Sequence, residues 1–395
     1  MVQFDIVTVG GGLAGSAFAA AMAQRSVRVL VLEQETRFRD RIRGEFLCPW
    51  GVAEVKALGL LETFYRAGAR DIAWVDMGMG PRDLVATTKP QLPGISYFHP
   101  ELQEALLDAA QKAGAEVRRG AAVRKIEAGA KPVLECDGNG SVDRVTARLI
   151  VAADGRNSAA RKWAGFQSTR DDHPFLLAGV LLGGVTFRQD MCSFVFNSDL
   201  GTVTGTVPQN KGRVRAYFGY PTSSTYRLQG KGNLPLFLGE SAKTTPMLAE
   251  AYAKAASDGP LASFDANDSW TQHPYRDGVA LIGDAAGTSD PSFGQGMSLT
   301  FRDARVLRDH LLQHSDWDRA AHRYAEEHDS YFANCHSASQ MLRTVFQEQT
   351  PEAKRIQQRA FPLIAQDPTR IPDHLMSGPD LPTDEAVRSR FFGES

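Results

Sequence analysis

Gly10, Gly12 and Gly15 fit the spacing G-x-G-x-x-G, and Glu33 stands eighteen residues beyond the last of them. These residue types suit the grip of a dinucleotide. Gly10 allows a tight turn, Gly12 lets backbone approach a pyrophosphate, and Gly15 lets a helix and a strand pack closely. Leu13 and Ala14 would open that helix, whose free N–H groups face the phosphates. Glu33 can accept hydrogen bonds from both ribose hydroxyls, and its charge disfavours a 2′-phosphate there. Further along, Asp284 ends the apolar run VALIGD, a placement that suits close acceptance from a polyol chain.

The elements that must position these residues are legible around them. Phe4, Ile6, Val7 and Val9 make a short apolar strand, and the Ala-rich stretch from Ala14 to Ala23 is a strong helix former. Val27 to Leu32 reads as the next strand, ending at Glu33. In SFGQGMSLTFRDARVLRDHLL a helix is expected to start near Gly296. Its N–H groups would favour negative charge beside them. From Phe175 to Tyr220 short β-rich runs alternate with Gly, Asn and Pro, as in an antiparallel sheet. Phe194, Phe196, Tyr217, Phe218 and Tyr220 are candidates for an apolar pocket, although alternating aromatics usually form core.

Composition sets the outer bounds. At 395 residues two domains are the natural prior. A net charge of −2 leaves no basic excess for nucleic acid. Cys48, Cys136, Cys192 and Cys335 lie far apart without a C-x-x-C pair, which argues against a zinc site and a disulfide framework. Leu13 to Ala23 is too short to span a bilayer, and strand-like sequence begins at Phe4. The expectation is a cytoplasmic protein without a membrane span.

Three motifs in order, G-x-G-x-x-G, the D-G of LIVAADGRNSAAR and the G-D of LIGDAAGTSDPSFGQG, resemble the para-hydroxybenzoate hydroxylase-like, or class A, FAD-dependent monooxygenases over roughly residues 1–320. The resemblance implies an α/β fold: a Rossmann-like FAD-binding domain (1–170 and 265–345), an inserted β-rich substrate domain (171–264), and a C-terminal helical region with an arm or tail at 346–395. It implies FAD held by Gly10, Gly12, Leu13, Ala14, Gly15, Glu33, Gln34, Arg43, Val123, Asp154, Gly155, Asp284, Pro291, Gly294, Gln295, Gly296, Met297 and Ser298. Arg43 would lie over flavin and pyrophosphate, and residues 294–298 would face the isoalloxazine. Asp154 and Gly155 would sit on a fold-back segment touching FAD and the nicotinamide donor.

The activity implied is oxygenation of a small aromatic or polycyclic, polyketide-like substrate by O2 through a flavin C4a-hydroperoxide. NADPH or NADH would be the transient donor. No second G-x-G-x-x-G follows a strand, which suits transient docking or a partner reductase. No side chain is marked by its neighbours as a catalytic base; His173 and His273, each before a proline, read as surface turn residues. Two positions depart from the pattern. Gly287 stands where the family has His, as in geranylgeranyl-reductase-like flavoproteins, and keeps open an FAD-dependent reductase acting on a C=C bond. His99 stands where the family has Arg and would grip phosphate less firmly. A halogenase would carry W-x-W-x-I-P, and Trp50, Trp74, Trp163, Trp270 and Trp317 stand alone.

Overall fold

The opening apolar run forms the strand Val2–Val9, at the centre of a sheet whose interior strands are buried on both faces. The structure is a computed structural model that describes residues 2–138 and 141–395. Val2–Val9 runs parallel to Val142–Ala152 on one side and to Val29–Glu33 on the other. Glu116–Arg119 and Val279–Leu281 extend the parallel order outward. The helix Leu13–Ala23 is buried along its whole length, as sequence apolar all round requires. It packs on the helices His99–Lys112 and Gly296–Gln313. Two of the glycine-rich segments thereby meet at the carboxyl ends of interior strands.

A second, mainly antiparallel sheet is built from Phe175–Gly183, Met191–Asn197, Thr202–Pro208 and Val214–Pro221. Ala262–Asp265 and Ala256–Ser257 pair with its outer strand. At the opposite edge Trp74–Asp76 pairs with Met191–Asn197, and Pro81–Asp83 pairs with Trp74–Asp76. The β-rich sheet therefore draws on residues well before 171. These two strands are three residues each and carry Asp, Arg and Pro, so neither shows an apolar alternation. Their role is to cover an edge that would otherwise be exposed.

The final segment is a packed arm. After the long helix Trp317–Phe346, the helices Pro351–Gln366, His374–Ser377 and Glu385–Phe392 fold back on the molecule. Leu375, Met376, Phe391 and Phe392 are buried, the Trp50 indole donates to the Leu375 carbonyl at 3.2 Å, and Arg82 meets Asp373 at 2.6 Å. Among the described residues no helix is long and apolar enough to cross a membrane.

Candidate functional site

The glycines make a cradle that only glycine permits. Gly10 has φ of +96°, and a Cβ there would lie 2.5 Å from the Ala153 carbonyl oxygen. A Cβ at Gly15 would overlap the carbonyl of Gly10. Glu33 is buried at its strand end, its two oxygens accepting from the Gly11 and Glu35 N–H groups at 2.7 Å each. From this turn a cleft of about 640 Å³ extends past Gly10, Gly12, Glu33, Gln34, Arg43, Val123, Asp154 and Gly155. It continues into a cavity of about 220 Å³ walled by Leu13, Ala14, Asp284, Pro291, Gly294, Gly296 and Met297. Gly12, Arg43 and Gly155 wall both, so the two form one trench. An extended FAD fits it: ribose acceptor at one end, N–H-rich turn beside it, and glycine-lined loop at the other end.

Three residues read as cofactor-binding do not line the trench. Gly15 serves the packing of helix on strand. Gln295 is fully buried and turns away, its amide donating to Ser339 Oγ at 2.9 Å. Ser298, also fully buried, faces Gly51. The helix Gly296–Gln313 makes this unavoidable, since its inner face is core and only its first residues meet the trench. Asp154 lines the trench, but its carboxylate is committed to the next helix, accepting from Ser158 Oγ at 2.5 Å and the Ala160 N–H at 3.0 Å. Those two bonds fix the segment. Arg43 lies 3.8 Å from Asp284, both partly exposed in the trench. Arg39 and Arg41 wall the trench too.

Both departures from the motif acquire a physical reason. A Cβ at Gly287 would lie 2.5 Å from the Phe332 ring, so the long helix occupies the room a larger residue would need. His99 begins its helix with Nδ1 3.1 Å from the Gly44 carbonyl. Desolvation lowers its pKa to about 4, so the ring is neutral and Nδ1–H is the donor. Gln103, one turn further, lines both parts of the trench. Its spacing from His99 was the available signal, and reading the sequence for charge passed over it.

The loops at the trench end are anchored from behind by buried acids. Asp303 accepts from the Gly283 N–H at 2.7 Å and the Tyr331 hydroxyl at 2.5 Å, which fixes the turn carrying Asp284. Asp290 caps the turn Pro291–Phe293 through the Ser292 N–H at 2.9 Å, and its own N–H donates to Asp268 at 2.6 Å. Arg343 bridges Asp171, Asp268 and Asp290 at 3.2 to 3.5 Å. Burial raises Asp303 and Asp290 to about 6. His173 is half-buried and stacked on Phe175, and His273 pairs with His322 at 2.8 Å. Neither is a free turn residue, and neither lines the trench.

Over Gly294 and Pro291 opens a smaller pocket of about 60 Å³, walled by Phe46, Leu177, Phe194, Val203, Tyr217 and Phe264 among others. Of the five aromatic candidates, Phe194 and Tyr217 line it. Phe196 stacks on Phe293 at 5.8 Å. Phe218 and Tyr220 fall on the opposite face of their strand and stack on each other at 5.6 Å, as the two-residue strand period requires. Phe264 walls the pocket and both parts of the trench.

Residues 3–344 match the FAD binding domain family. The chain belongs to that family, within the class A flavoprotein monooxygenase superfamily, and is an FAD-dependent oxidoreductase. It is 28% identical over 318 residues to 6-methylpretetramide 4-monooxygenase of Streptomyces rimosus, covering 76% of this chain and 73% of that protein. It is 26% identical over 371 residues to digeranylgeranylglycerophospholipid reductase 1 of Methanopyrus kandleri, covering 86% and 91%. Its fold matches p-nitrophenol 4-monooxygenase PnpA of Pseudomonas putida with a TM-score of 0.79 and 19% identity, over 95% of this chain and 97% of that one.

Proposed function

We propose that this chain is an FAD-dependent monooxygenase that inserts one atom of dioxygen into an aromatic or polyketide-like substrate, with NADPH or NADH supplying two electrons and the second oxygen atom leaving as water. The observation that carries the reading is the apolar, aromatic-walled pocket opening onto the far end of a trench shaped for FAD. The site is read as the seam between a discontinuous cofactor-binding unit, 1–170 and 265–345, and the β-rich unit of 171–264. Resemblance to a 6-methylpretetramide oxygenase supports the substrate class.

Bound FAD supplies the acceptance of reducing equivalents and the activation of dioxygen. The chain's residues do the rest. Gly10 to Ala14 and Glu33 hold the nucleotide half, and Arg43 and Asp284 flank its middle. The first N–H groups of Gly296–Gln313 point toward the trench end and favour negative charge there. Phe46, Phe194 and Phe264 exclude water above that end, which keeps activated oxygen from being lost as hydrogen peroxide. The fit of Gly287 against Phe332 gives that position a packing reason of its own, so it does not by itself favour a C=C reductase. Reaction under isotopically labelled dioxygen tests the proposal. One labelled oxygen atom in the product supports it; reduction of a C=C bond without oxygen uptake refutes it.

A further inference from the structure

Three short strands form a small sheet where the chain passes between its two larger ones. Thr169–Arg170 leads toward the β-rich sheet, Ser269–Trp270 leads back, and Gly287–Thr288 follows the turn that carries Asp284. Antiparallel pairing sets the end of one strand beside the start of the next. Asp171, Asp268 and Asp290 each stand just beyond an end of their strand, so the three carboxylates are brought to one end of this sheet. Asp268 and Asp290 are fully buried and Asp171 is largely so.

The helix Trp317–Phe346 answers them with one guanidinium and one imidazole. His336 and Arg343 are seven residues apart, two turns along one face. Arg343 lies 3.2 Å from Asp171, 3.2 Å from Asp268 and 3.5 Å from Asp290. His336 Nε2 lies 3.0 Å from Asp171 and 3.8 Å from Asp268, with its ring packed on Trp270 at 4.7 Å. Asp171, Asp268 and His336 are close enough to share a metal ion, but the guanidinium already bridges the two carboxylates. A shared guanidinium recurs behind the pocket wall, where Arg215 meets Glu45 at 2.9 Å and Asp40 at 2.8 Å. The cluster at Arg343 differs in reaching a turn of the trench end.

The hold on Asp290 is the weakest of the three. Its Oδ1 accepts from the Ser292 N–H at 2.9 Å. Its Oδ2 has no hydrogen-bond partner among the described residues and only the edge of Arg343 for countercharge. Burial pushes its pKa up to about 6, with Arg343 opposing the rise and Asp268 adding to it. Burial acts on Asp171 in the same direction, yet His336 and Arg343 hold that carboxyl below its ordinary value. Two further titratable groups face the cluster: His173, lowered by burial to about 4, and Glu348, raised by burial beside Arg343. Competition for Arg343 therefore changes the charge on Asp290. That residue caps the turn whose Pro291 and Gly294 line the end of the trench.

We infer that His336 is a positioning residue for the flavin end of the trench. Its protonated ring holds Asp171, which leaves the Arg343 guanidinium to Asp268 and Asp290, and those two carboxylates clamp the Pro291–Phe293 turn. Without the ring's charge Asp171 competes for Arg343, Asp290 takes up a proton, and the turn loses its anionic cap. The inference rests on the flavin ring lying at that end of the trench.

Arg343→Met would strand three buried acids and is expected to unfold the chain, so the test uses His336. FAD-loaded protein is titrated between about pH 8 and pH 5, and the flavin spectrum and the Kd for FAD are followed. The parent is expected to bind FAD about three- to tenfold more weakly at the acid end, through a transition centred at about pH 6. Asp303 is also raised to about 6 behind the neighbouring turn, so the variants decide. Asp290→Asn should remove one proton from the transition. His336→Gln should raise the proton affinity of the Asp290 step about threefold or more, and His336→Lys should return it toward the parent. Lowered melting temperatures with the Asp290 step unmoved, or His336→Lys behaving as His336→Gln, overturn the inference. Gly294→Ala tests the placement of the ring separately. An unshifted flavin spectrum in that variant sinks the placement and this inference with it; a shifted spectrum with an unmoved Asp290 step sinks this inference alone. None of these readouts needs turnover, so they stand apart from the monooxygenase reading.

Discussion

The trench and the pocket above it are made of different materials. The trench is mostly backbone: glycines, strand ends and helix starts, with few side chains that matter individually. The pocket is made of side chains from separate strands and loops, Phe46, Phe194, Tyr217 and Phe264 among them. A backbone site tolerates change nearly anywhere except at its close contacts, where change is fatal. A side-chain site is expected to respond gradually, residue by residue.

The sharpest test of that contrast is Gly15→Val, whose Cβ would collide with the carbonyl of Gly10. A clash against backbone has nothing flexible to absorb it and costs about 3 kcal/mol or more. The purified variant is expected to be colourless or insoluble, as visible absorption and circular dichroism will show. Nearly as large is Arg215→Met, which strands the buried Glu45. Denaturant titration should show a loss of about 3–5 kcal/mol; an unchanged midpoint would mean the pair does not bind the two halves together.

Asp303 offers a pH test of the anchoring behind the trench. Burial raises its pKa to about 6 in the folded chain, against 3.8 when exposed. A raised folded value favours folding most below about pH 4, and that contribution disappears as pH rises through about 6. The amount at stake is up to about 3 kcal/mol. Asp303→Asn should therefore remove part of the pH slope between 4 and 6 in thermal melts. A slope identical to the parent's would mean that the group does not titrate there. The smallest effect is expected from Phe264→Ala. Flavin content should hold, while the share of NAD(P)H oxidised to hydrogen peroxide rises about two- to fivefold as water gains access. A peroxide yield unchanged from the parent would remove Phe264 from the shield.

The same contrast explains what was legible in the chain. The strand, glycine turn, helix and acid of residues 4–33 are local and periodic, so their order was readable and their bounds to within two residues. Asp284 and the helix from Gly296 were readable for the same reason. Gln295 and Ser298 were assigned to the cofactor because the motif was read as a string; the helix sends their side chains into its core. The strands at 74–83 carried no periodicity and became visible only through pairing with Met191–Asn197. Arg215 and Glu45 lie far apart in sequence, and nothing local announces that the fold brings them together under the pocket.

The central claim is that one FAD lies extended along the trench, with its ring ending beneath the small pocket. Crystals of yellow, FAD-loaded protein test it most directly. The expected density places the adenosine ribose within hydrogen-bond reach of Glu33 and the ring against Gly294, Gly296 and Met297. Protein that stays colourless with added FAD, or density for the nucleotide outside that trench, contradicts the account.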